Sequence, residues 1–191
     1  MIKKKKLIIF MPSIEGGGVE KNLFIVSKYL SSKINNVRLI TCNSEYRKFF
    51  KRIDFICPKS NFWKKKSRIY KYFICLILLA KILFKNNNYL VFAFQANFYC
   101  TILSKLLGAN IIVRSNTSTS GYSRNFFKKN LYKIVFSLAD EIIVNSNDFK
   151  SQFKKTFSLN STCIYNPLNL TEIVKKSKEK LIFPFFKKKK N

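Results

Sequence analysis

Seven short runs dominated by apolar residues recur along the chain, at positions 7–11, 37–41, 54–57, 90–94, 110–114, 141–145 and 161–165. Between several of them, apolar residues return every three or four positions. Val19, Leu23, Val26 and Leu30 form one such stripe; Phe98, Ile102 and Leu106 form a second; Phe127, Leu131, Ile134 and Leu138 form a third. Short continuous runs predict strands, and the 3.6-residue period predicts helices. Strands alternating with helices of 10–18 residues predict βαβ units: an α/β fold with a doubly wound, mainly parallel sheet and helices on both faces. No internal repeat is found.

In such sheets ligands bind where strand ends lead into helix N-termini. The loop after the first run is Pro12-Ser13-Ile14-Glu15-Gly16-Gly17-Gly18 and holds three of the chain's five glycines. Glycine leaves backbone N–H groups open to close approach, and a helix's first turn adds unpaired N–H groups and partial positive charge. The loop therefore suits a phosphate or a sugar hydroxyl, and equally a turn that needs glycine only for its geometry. It matches neither GxGxxG nor GxxxxGK[ST], because Lys21 follows Glu20 and no Ser or Thr comes next. The other loops on this edge are Gln95-Ala96-Asn97, the polar run at 115–121, and Ser146-Asn147-Asp148. Arg114 at a strand end suits a phosphate or a sugar, the alternative being a pairing with a nearby Asp. Ser146 or Asn147 is read first as a helix cap.

The 191 residues suit one domain, and a hydrophobic content of 47% with 20 Phe is ample for a core. The aromatics read as core filler at helix and strand periods. The formal charge of +28 points toward anionic partners. Part of it follows from a composition rich in Lys, Asn, Ile and Phe, as an AT-rich genome imposes on tolerant positions. Yet no Asp or Glu occurs from position 55 through 139, so a basic face is expected there, and anionic lipid headgroups are its simplest partner. No RNA-binding aromatic motif, helix-turn-helix signature or zinc spacing is present, so nucleic acid is not the expected partner. The absence of His removes histidine-based nucleophilic catalysis and HExxH zinc sites. Five scattered Cys with no CxxC pair indicate reduced thiols and a cytoplasmic setting. MIKKKKLIIFMPS begins like a signal peptide, but its apolar part is too short, and it is read as a first strand. The longest apolar stretch, 72–84, is too short to span a bilayer and fits a helix that is buried or rests on the membrane surface below Trp63 and Lys64-Lys65-Lys66.

Taken together, MPSIEGGGVEKNLFIVSKYL at 11–30, RSNTSTS at 114–120, ADEIIVNSNDFKSQF at 139–153 and TCIYNPLN at 162–169 resemble the N-terminal domain of family 4 glycosyltransferases, retaining enzymes of GT-B fold. The resemblance implies a Rossmann-like, acceptor-side domain over residues 1–169, followed by a basic linker and tail at 170–191. It implies that Gly16, Gly17 and Gly18 approach the donor phosphates or the transferred sugar. Arg114, Asn116 and Ser146 would line the cleft and Asn166-Pro167 would open the hinge, while Asn97 is added as a binding candidate by its place in the 95–97 loop on the same edge. The substrates implied are a nucleotide-sugar donor and a lipid-linked or saccharide acceptor in surface polysaccharide or lipopolysaccharide synthesis, with no cofactor; no cluster of carboxylates is visible in the sequence, so metal-independent action is expected.

One departure is large. The family's second, nucleotide-sugar-binding domain carries paired glutamates, whereas here Glu172 and Glu179 lie in a polar helical stretch at 170–180 that is not that motif. No catalytic residue is assigned. The chain reads as half of an enzyme, expected to be inactive alone, with a frameshift or split gene as the hypothesis for the lysine run at its end and a separate chain as an alternative source of the other half. The competing expectation is a basic membrane-surface binding module with no chemistry, peripheral on the inner face of the cytoplasmic membrane.

Overall fold

The computed structural model describes residues 6–116 and 125–179. Seven strands form one all-parallel sheet: β1 (Lys6–Phe10), β2 (Asn36–Ile40), β3 (Asp54–Ile56), β4 (Tyr89–Ala93), β5 (Asn110–Ser115), β6 (Glu141–Val144) and β7 (Thr162–Cys163). All seven expected runs become strands, each within two residues of its expected ends. The helices are α1 (Gly18–Lys33), α2 (Arg68–Lys85), α3 (Asn97–Leu106), α4 (Phe126–Ser137), α5 (Asn147–Phe157) and α6 (Leu170–Ser177).

The spatial order is β3-β2-β1-β4-β5-β6-β7. The chain runs outward from β1 to β3, then returns to the other side of β1 to lay down β4. The β1/β4 boundary is thus the topological switch point, where two loops diverge and leave a crevice at the carboxyl edge.

Alternation along each strand fills two cores, as a period of two requires. Ile8 and Phe10, with Val91, Ile111 and Val113, pack against Cys75 and Leu79 of α2, Cys100 of α3, Phe136 of α4 and Phe153 and Phe157 of α5. Leu7, Ile9 and Met11, with Leu39 and Phe92, pack against Leu23 of α1 and Phe50 on the opposite face. Val19, Val26 and Leu30 border this second core, so the α1 stripe faces the sheet.

The other two stripes behave differently. On α3 the residues turned fully inward are Cys100, Thr101 and Ser104, while Leu106 is exposed. Small side chains let α3 lie close against the sheet, and its larger ones turn toward neighbouring helices. On α4, Val135 and Phe136 are buried, whereas Phe127, Leu131, Ile134 and Leu138 all face outward. The apolar period there marks an exposed stripe. The stretch at 72–84 lies within α2, and among the described residues no helix is long and apolar enough to cross a membrane. The polar run from 117 to 121 and the tail from 180 onward lie outside the described residues.

Candidate functional site

The loop after β1 is fixed up to Glu15 and free beyond it. Ile14 donates its N–H to Asn43 Oδ1 at 3.0 Å, and Ser13 donates its N–H to Gln95 Oε1 at 3.1 Å, across the switch point. Ser13 Oγ donates to Glu15 Oε1 at 2.7 Å and accepts from the buried Lys71 Nζ at 3.2 Å. Arg68 at the start of α2 donates to Glu15 Oε2 and, with Ser13, holds that carboxyl below the usual carboxylate range. Glu20, buried in the first turn of α1, accepts the Glu15 N–H at 3.3 Å. Its carboxylate thus steadies the loop, besides sitting favourably at a helix N-terminus.

Gly16, Gly17 and Gly18 follow with no such tethers. Gly16 has φ +89°, a conformation that L side chains rarely adopt, and a Cβ there or at Gly18 would meet nothing within 4 Å. The N-cap of α1 is Gly17, which has no side chain with which to cap the first N–H groups of the helix. The N-cap of α3, the left-handed Ala96 at φ 53°, ψ 31°, likewise makes no side-chain cap. A left-handed alanine costs on the order of 1 kcal/mol, a kind of strain that clusters at functional sites.

These two uncapped helix starts open into one cleft of about 660 Å³. Gly17, Gly18, Asn97, Arg114 and Asn116 line it, together with Glu15, Glu20, Arg68 and Gln95. Phe94, Tyr72, Tyr99 and Tyr132 supply aromatic walls. Uncapped N–H groups and helix dipoles favour an anion, and aromatic rings offer apolar faces to a sugar.

Arg114 is the buried cation of this cleft, 2% exposed. Its Nη2 donates to Asn166 Oδ1 at 2.7 Å and its Nε to Asn116 Oδ1 at 3.3 Å. Among the described residues no carboxylate pairs with it, so the expected Asp alternative is not realised. Burial pushes its pKa below the ordinary guanidinium value. Asn97 Nδ2 donates to the Arg114 carbonyl at 2.9 Å, while Asn97 Oδ1 is buried without a partner among the described residues.

Of the residues singled out in the sequence, Gly17, Gly18, Asn97, Arg114 and Asn116 come together in the cleft. Gly16 adjoins it in the loop, and Asn166 joins through Arg114. Ser146 stands on the same carboxyl edge but outside the lining; its Oγ caps α5 by accepting the Phe149 N–H at 3.1 Å. Arg68, Tyr72, Tyr99 and Tyr132 escaped sequence reasoning, because helix periodicity marks them only as helix positions. Among the described residues no three His, Cys, Asp or Glu side chains gather as a metal ion would require.

A parallel Rossmann-like sheet with a glycine-rich, cation-bearing cleft at its switch point is a doubly wound α/β architecture, in which ligands bind at that carboxyl edge. The chain belongs to glycosyltransferase family 4, whose model matches residues 16–172. Among solved structures it is similar to HepE of Anabaena in complex with UDP and glucose, with TM-score 0.59 and 15% identity over 87% of this chain and 46% of that one. A second HepE structure, in complex with UDP, gives TM-score 0.62 and 12% identity over 87% and 45%. The chain thus spans less than half the length of these neighbours, which share its fold. Comparison with curated protein sequences finds no match.

Proposed function

We propose that this chain is the acceptor-side half of a retaining glycosyltransferase, moving a sugar from a nucleotide-sugar to a lipid-linked or saccharide acceptor in surface polysaccharide synthesis. The observation that carries this reading is the convergence of two uncapped helix starts, α1 at Gly17-Gly18 and α3 at Ala96-Asn97, with Arg114 on one cleft. Backbone N–H groups and a fixed cation can stabilise the charge that develops on a departing diphosphate. The UDP and glucose in the HepE complexes support a uridine diphosphate sugar as donor. Turnover requires the family's second, donor-binding domain as well, whereas the cleft of this half by itself still engages the donor's diphosphate. UDP release from UDP-glucose tests the reading. The 191-residue chain alone is expected to give none, and its mixture with a family donor-binding domain is expected to turn over until Gly18→Leu blocks the cleft. Turnover by the chain alone contradicts the division of labour.

A second, compatible reading is attachment to the inner face of the cytoplasmic membrane. Phe126, Phe127, Leu131, Ile134 and Leu138 are exposed on α4 beside the exposed Lys128 and Lys133, in a span free of acids. An amphipathic face of this kind suits an anionic interface. Flotation with phosphatidylglycerol vesicles should weaken with salt and be lost in Leu131→Ser/Ile134→Ser. Salt-insensitive flotation, or none, contradicts it.

A further inference from the structure

We infer that the groove between α2 and α3 receives the hydrocarbon chain of a phosphate-headed lipid acceptor whose polar end lies in the cleft. The inference rests on the acceptor-side reading above and names its substrate class.

The groove has a volume of about 320 Å³. Phe73, Leu76, Ile77 and Ala80 form one wall on α2, and Tyr99, Ile102, Leu103 and Leu106 form the other on α3. Apart from the Tyr99 hydroxyl, these side chains carry no polar group. Such a trough offers a ligand contact area and no hydrogen bonds, which suits an aliphatic chain. Phe73, Tyr99 and Leu106 are 61%, 57% and 78% exposed, so about two helical turns of apolar surface, roughly 10 Å along each helix, stand open.

The groove adjoins the cleft. Tyr99 lines both, and on α2 the adjacent residues Tyr72 and Phe73 divide between them, Tyr72 to the cleft and Phe73 to the groove. Arg68, one turn before Tyr72 on α2, lines the cleft, paired there with Glu15. A molecule entering the groove from the cleft would therefore pass from the buried Arg114, two helix starts and the Arg68–Glu15 pair onto hydrocarbon. That sequence of environments matches an amphiphile with an anionic head and an apolar tail.

Charge argues against the other occupants. A second copy of the chain would bring two molecules of formal charge +28 together. Like charges so placed oppose association.

The test is calorimetric titration of the full chain with farnesyl phosphate below its micellar range, against isopentenyl phosphate and inorganic phosphate. Farnesyl phosphate is expected to bind at least about tenfold tighter than isopentenyl phosphate, since burying extra apolar groups adds affinity. Phe73→Ser/Leu106→Ser, both at exposed positions, should abolish that difference, and so should Ala80→Phe, which fills the trough. Retained thermal unfolding certifies each variant. Affinity independent of chain length overturns the inference, as does a preference that survives both variants. A dimer in sedimentation that the groove variants dissociate also overturns it, in favour of a second copy. UDP-glucose is titrated into the same sample with the amides of residues 16–18 observed. Their response decides the transferase reading separately, so failure of the groove and failure of that reading are told apart.

Discussion

Arg114 and Asn166, 52 positions apart, meet where Arg114 Nη2 donates to Asn166 Oδ1 at 2.7 Å. The bond ties the end of β5 to the segment after β7 and holds a guanidinium in a buried place whose partners are amide oxygens. Taking such a charge from water without a carboxylate beside it is costly, and little stability is recovered. Under the proposed function, this buried cation is the group that the donor's diphosphate would meet.

Arg114→Lys keeps the charge and removes the planar fork that reaches Asn116 and Asn166 together. UDP-glucose or pyrophosphate affinity, followed by amide shifts, is expected to fall about tenfold, the loss of one charge-assisted hydrogen bond. Unfolding by urea should move little. Unchanged affinity would remove Arg114 from the site.

The three glycines should respond differently to a methyl group. Gly16→Ala meets no neighbour but is forced to φ +89°, so a loss of about 1 kcal/mol is expected from the backbone alone. Gly18→Ala lies in the first turn of α1 with open space around it, and stability should hold or rise by about 0.5 kcal/mol. At Gly17 the new Cβ would come within 2.9 Å of Glu20 Oε2 and displace the carboxylate that holds the Glu15 N–H. Urea unfolding of the three variants checks the order; a destabilised Gly18→Ala beside a neutral Gly16→Ala would contradict it.

Much of the fold is legible in the sequence because parallel strands buried on both faces read as continuous apolar runs, and the loops between them carry the site. Periodicity alone could not show which way a helix turns. On α3 it is Cys100, Thr101 and Ser104 that meet the sheet, since close approach favours small residues over the larger Ile102 and Leu106. On α4, Val135 and Phe136 suffice to anchor the helix, leaving the longer stripe from Phe127 to Leu138 outside. In the site, Gly17, Gly18 and Arg114 are local signals at strand ends. The Arg68–Glu15 tether and the left-handed Ala96 depend on contacts or backbone angles that residue type does not encode.

Acid should loosen the fold through identifiable carboxylates. Burial pushes the Asp140 carboxyl up, but Lys105 Nζ and the Ile111 N–H, each 2.6 Å from Oδ2, outweigh it and hold the group below its ordinary value. A depressed folded pKa contributes stability above the unfolded value, about 3.9, that is lost as pH falls through the lower folded one. Glu15, depressed chiefly by Arg68, has the same sign. Stability measured from pH 6 to 2 should therefore fall on the acid side, and Asp140→Asn should flatten that limb. A variant with an unchanged acid limb would exclude Asp140 as a contributor.

Thiol reactivity should sort by burial. Cys42 and Cys75 face one another with sulfurs 3.6 Å apart, and Cys100 is fully buried, its thiol pushed well up by burial. Cys57 and Cys163 are half-buried. An aromatic disulfide reagent is expected to label Cys57 and Cys163 in the native chain and the other three only in denaturant. Fast native labelling of Cys42 or Cys75 would contradict the packing of α2 on β2.

Amide-resolved titration of the labelled full chain with UDP-glucose tests the central claim most directly. The predicted result is a set of shifts gathered on residues 16–18, 96–97, 114–116 and 166, lost in Gly18→Leu. Shifts confined to the lysine-rich outer faces of α2 and α4, with the switch-point rim unmoved, would contradict it.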